Sequence, residues 1–82
     1  MKYSFHNNKL KKYRELRGYS QKEAALLIGL KTTNPIADWE EGKSSPGSLH
    51  LIRLGVIYQI GPEKFYPDLF KKIGKEIRKR SK

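Results

Sequence analysis

Eighty-two residues carrying 18 Lys and Arg against 8 Asp and Glu have a formal net charge of +10 and room for one small domain, near the size at which a single core just stabilises a fold. With no cysteine, neither disulfides nor a thiolate metal site can reinforce a thin core, so packed helices must do so. No run approaches the roughly eighteen apolar residues of a membrane span, and "MKYSFHNN" lacks a signal peptide's apolar stretch, so the expected location is the cytoplasm and the expected partner a polyanion, nucleic acid first, rather than a membrane.

The chain reads as helices with punctuation. Asn7 or Asn8 can cap a helix beginning at Lys9, with Leu10, Tyr13 and Leu16 as a sparse apolar stripe, five basic residues around it, and Gly18 as the stop. In "SQKEAALLIG", residues 20–29, Ser20 and Glu23 have the spacing of a capping box, Ala24 and Ala25 permit close helix approach, and Leu27 and Ile28 are expected to face the core. Gln21 stands at that helix's N-terminus, where orphan N–H groups favour an anion. After the turn "LKTT", Pro35 places the start of a short third helix at Thr32 to Asn34; Ile36 and Trp39 share a face, which makes Trp39 a core anchor, and Gly42 ends the helix.

A fourth helix is expected over Ser48 to Tyr58, where Leu49, Ile52, Val56 and Ile57 follow helical spacing, and Leu51 and Leu54 widen the face to that of a helix buried on most sides. Gly55 marks a tight contact in this reading. Gly61, Pro62 and Pro67 break the chain around a short turn at "EKFY". In "DLFKKIGKEIRKRSK", Asp68 is a candidate cap and Leu69, Ile73 and Ile77 recur every four residues beside Phe70, among Lys and Arg. Three uses of this segment compete: a docked helix with a solvated basic face, an arm gripping phosphates, and an amphipathic helix on acidic lipid, the last disfavoured by its narrow stripe.

From Asn8 to about Leu69 the chain resembles the helix-turn-helix domain of phage lambda Cro and repressor type, the Xre-like family. The matching stretches are "LKKYRELRGYSQKEAALLIGL", then "I..WEEGKSSP", then "L..L...Y.I.PEKFYPDLF". The resemblance implies an all-α, compact five-helix lambda-repressor-like domain over residues 8–67, between an N-terminal arm (1–7) and a basic helical extension (68–82). Its third helix would enter the major groove while the second crosses the backbone, and many such proteins regulate transcription as dimers on palindromic sites. Carried across, Gln21, Lys22, Thr32, Lys43 and Ser44 would contact phosphates, with Thr32 also the N-cap. Thr33, Asn34, Ala37 and Asp38 would face the groove. Arg14 would pair with Glu40 to fasten helix one to helix three. Asp38 is unusual near phosphates: it either accepts from a cytosine N4, with Ala37 on a thymine methyl, or pairs with a nearby Lys or Arg. The turn before helix three, Leu30 to Pro35, is one residue longer than in many members.

No paired acids, nucleophile with base, or ligand cluster suggests an enzyme, a metal or a cofactor; His6 and His50 stand far apart without partners in a motif. The rivals are other binding modules. An antitoxin-like or adaptor domain would bind a protein partner at the C-terminal helix, through Leu69, Phe70, Ile73 and Ile77. An RNA reader would display aromatic side chains, for which Tyr3, Phe5 and Tyr19 are the candidates. The reading that emerges is a cytoplasmic, sequence-specific double-stranded DNA-binding regulator, as a monomer or homodimer.

Overall fold

Local signals set where each helix begins and ends, and a small shared core sets how they pack. A computed structural model describes residues 4–81. Five α-helices, α1 (Leu10–Leu16), α2 (Gln21–Leu27), α3 (Asn34–Glu41), α4 (Ser48–Tyr58) and α5 (Pro67–Arg80), are accompanied by one 3-10 turn at Pro62–Lys64. No strand occurs among the described residues. The chain is all-α, and four of its α-helices precede the C-terminal one. Tyr3, one of the three aromatic candidates for RNA stacking, lies outside the described residues.

Helix α1 is capped from one position further back than usual: Lys9 occupies the N-cap, while Asn8 Oδ1 accepts from the Leu10 N–H at 3.1 Å. Leu10 and Arg14, four apart, are its buried residues; Leu16 is exposed, so the inward stripe is narrower than the spacing suggests. Helix α2 opens with both bonds of the capping box, Glu23 N–H to Ser20 Oγ at 3.0 Å and Ser20 N–H to Glu23 Oε1 at 2.8 Å. Ala24, Ala25 and Ile28 turn inward and are buried. Leu27 does not. It falls round the side of the helix with Leu26, because the inward face is already set by residues 24, 25 and 28.

Helix α4 departs from expectation in the same way. Leu54, Gly55 and Tyr58 are buried and Leu51 and Ile57 partly so, but Leu49, Ile52 and Val56 are exposed, Val56 at 71%. A helix is apolar all round only when neighbours cover every side; among the described residues α2 and the 3-10 turn are its main neighbours, and they leave one side of α4 open. The helix ends at Gln59, which adopts a left-handed conformation (φ 57), and Arg17 Nε donates to the terminal Tyr58 carbonyl at 2.8 Å. Gly55 is a close contact: a Cβ there would lie 3.0 Å from the Ile60 carbonyl oxygen and 3.3 Å from Pro62.

Tyr58 and Phe65 close the core, their rings edge to face at 5.9 Å. Burying side chains of this size contributes about 1.5–3 kcal/mol each. Pro67 opens α5, with Tyr66 at the N-cap. Asp68 is therefore in the first turn rather than at the cap, and its carboxylate accepts from Asn7 Nδ2. No residue of α5 is fully buried.

Candidate nucleic-acid interface

Helix α3 is amphipathic in the simplest sense. Ile36 and Trp39 are buried on one side, and at helical spacing Asn34, Ala37 and Asp38 fall on the opposite side, with Asn34 exposed and the other two half-buried. What makes this helix a rigid platform is the number of anchors at its C-terminal end. The last carbonyls of any helix lack intrahelical partners, and here the N-terminal segment supplies several. Asn8 Nδ2 donates to the Trp39 carbonyl at 3.2 Å and lies 3.4 Å from that of Glu40, while His6 Nδ1 is 3.0 Å from that of Glu41. Gly42, at φ 78, completes a Schellman stop in which the Lys43 N–H reaches the Asp38 carbonyl at 2.9 Å and the Gly42 N–H that of Trp39 at 3.2 Å.

One polar cluster ties the three helices together. Arg14 donates from Nε to Glu40 Oε2 at 2.6 Å and from Nη2 to Oε1 at 3.1 Å, while its Nη1 reaches the Tyr19 carbonyl at 2.9 Å. Gln21 Nε2 adds a bond to Glu40 Oε1 at 3.1 Å. Glu40 thus accepts from α1 and α2 at once. The bidentate contact to Glu40 raises the Arg14 pKa against the opposing effect of burial.

The residues expected to meet a duplex fall into groups. Lys22, Thr32 and Thr33 line one notch between α2 and the turn, together with Lys31. Lys43 and Ser44 are exposed beyond the other end of α3, with Lys43 Nζ loosely placed 3.8 Å from Glu41 Oε2. Gln21, the first residue of α2, has its amide engaged by Glu40. Two local expectations change. Thr33, not Thr32, is the N-cap of α3, and it makes no side-chain cap bond; the extra turn residue and Pro35 at the second helical position shift the start by one. Asp38 has no ion pair or side-chain hydrogen bond among the described residues, so the expected pairing with a Lys or Arg is not seen among them.

Sequence reasoning missed Lys31, although its place beside Thr32 was a usable signal. It also left Arg17 and Arg53 as undifferentiated positive charge. Both serve helix ends instead, Arg17 on Tyr58 and Arg53 Nη1 on the Ile28 carbonyl at 3.0 Å. Only the folded chain brings those pairs together, across 41 and 25 residues.

Two short helices joined by a turn, the second with its inner face locked into the shared core and its other side left outward, are what a groove-reading module requires. A family model described as Helix-turn-helix matches residues 10–65. The chain belongs to this helix-turn-helix family, of Cro and repressor type. The match runs from the first residue of α1 to the last core ring, Phe65, and leaves α5 outside. Comparisons with curated proteins and with solved structures return no match. Membership makes the chain, in general terms, a DNA-binding helix-turn-helix regulator with the lambda-repressor-like all-α fold. Among the described residues no helix is long and apolar enough to cross a membrane, and no three His, Asp or Glu side chains gather as metal ligands.

Proposed function

We propose that this helix-turn-helix protein is a sequence-specific regulator of transcription that lays α3 in the major groove of double-stranded DNA. The observation that carries this is the outer face of α3: Asn34, Ala37 and Asp38 stand together on a helix whose other face is fixed by Ile36, Trp39 and Glu40. Thr33, Asn34, Ala37 and Asp38 read bases. Asp38, whose carboxylate has no partner among the described residues, accepts from a cytosine N4 in this reading, and Ala37 meets a thymine methyl. Lys22, Thr32, Lys43 and Ser44 hold phosphates on either side, with Gln21 contributing the amide hydrogen that Glu40 does not use. The exposed apolar row Leu49, Ile52 and Val56 favours a homodimer. The setting is cytoplasmic.

The test is selection from random duplex DNA at about physiological salt, repeated with two variants. Lys43→Ala should weaken binding to all duplexes alike, whereas Asn34→Ala should change which sequences are enriched. Enrichment of the same sequences by Asn34→Ala as by wild type removes the proposed reading by α3.

A second reading has its own observation. Leu51, Pro62, Tyr66, Leu69, Phe70 and Ile73 line an apolar groove of about 270 Å³ between α4 and α5, and Phe70 is 60% exposed. That groove suits a protein partner, as in an antitoxin-like or adaptor domain. Tight DNA binding at low salt without sequence enrichment would favour it.

A further inference from the structure

Helix α5 is two-faced. Leu69, Phe70 and Ile73 turn toward α4 and the 3-10 turn, while Asp68, Lys71, Lys72, Lys75 and Arg78 line a separate groove on the other side. That basic face does not start at an arbitrary place. Asp68 accepts from Asn7, and the residue before Asn7 is His6, which lies against Gly42 and bonds the Glu41 carbonyl. His6 and Asn7, consecutive in the chain, thus bridge the end of α3, beside Lys43 and Ser44, to the first turn of α5, where the basic face begins. The one acid lining this groove is already occupied by Asn7.

We propose that the basic face of α5 is a second phosphate-binding surface, which grips the backbone of the same duplex just outside the stretch that α3 reads. This rests on the DNA-binding reading above. Lys71 to Arg78 spans ~10 Å of helix at ~1.5 Å per residue, about three base-pair steps at ~3.4 Å each. Lys71, Lys75 and Arg78 are exposed. Continuity with the end of α3 favours DNA over other polyanions, and lipid insertion would require apolar side chains that partly line the groove against α4.

Affinity for a mixed-sequence 24-bp duplex, measured by fluorescence anisotropy from about 50 to 200 mM salt, tests this. Two double variants remove the same charge: Lys71→Gln with Lys75→Gln on the proposed surface, and Lys12→Gln with Lys64→Gln on the side of Tyr13 and Phe65. Each lost phosphate contact lowers the slope of log affinity against log salt by about 0.9, so the α5 variant should lose about 1.5–2 while the control keeps the wild-type slope. Circular dichroism checks that both remain folded. Equal losses in the two variants, or none in either, overturn the proposal while leaving DNA binding intact. Unchanged DNA binding with lost sedimentation on vesicles of anionic phospholipid assigns the face to a membrane and overturns it too. Failure of the wild type to bind the duplex even at 50 mM salt defeats the DNA-binding reading itself.

Discussion

Replacing Glu40 with alanine should be among the most damaging single changes in this chain, although it removes no core hydrocarbon. Arg14 is 7% exposed, and two of its three hydrogen-bonding nitrogens point at Glu40; only Nη1 keeps a partner, the Tyr19 carbonyl. Glu40→Ala strands that guanidinium and releases the Gln21 amide, and breaking a buried pair from one side costs about 3–5 kcal/mol. For a domain of this size each kcal/mol moves Tm by about 4–8 °C, so a fall of at least ~12 °C is expected in thermal unfolding followed by circular dichroism. Such a loss is a large share of the roughly 5–15 kcal/mol that stabilises a typical domain. The double variant Arg14→Met with Glu40→Leu leaves no charge stranded and should recover most of the loss. A Glu40→Ala protein melting within about 4 °C of wild type would refute the claim that Glu40 fastens the helices.

Gly42→Ala and Gly18→Ala form a matched pair. Both glycines have φ near 80°, but a Cβ at Gly18 meets nothing within 4 Å, whereas one at Gly42 would lie 2.4 Å from His6 Cα. Left-handed strain costs about 1–3 kcal/mol in each, and displacement of the His6 backbone adds to it only at Gly42; equal losses in denaturant melts would show that the N-terminal strap does not rest there. The Glu23 carboxyl is held below its ordinary value of 4.5 chiefly by the Ser20 backbone N–H. Its folded pKa is thus the lower one, so its contribution is complete above the unfolded value and disappears as pH falls through the folded value. The stability gap between wild type and Glu23→Gln should therefore narrow from pH 7 toward pH 3, and a constant gap would contradict the capping-box account.

Much of this molecule was legible in residue order. The capping box of Ser20 and Glu23, the glycine stops at 29 and 42, and the pairing of Ile36 with Trp39 on one face are decided by interactions within a few residues of each other, so spacing alone locates α2 and α3. The family motif carried the DNA-binding reading, and with it the proposal that the outer residues of α3 face the groove. Tertiary structure decided what spacing cannot: which apolar side chains find a neighbour. Leu27, Leu49, Ile52 and Val56 have helical periodicity yet stay exposed, because burial depends on whether a second element covers them. Charges divide by the same logic. Composition counts eighteen cations, but only the fold commits Arg14, Arg17 and Arg53 to acceptors far away in sequence, and gathers the lysines of α5 on the side away from its apolar groove. Periodicity acts through neighbours along the chain, and long-range contact acts only once the chain has closed on itself.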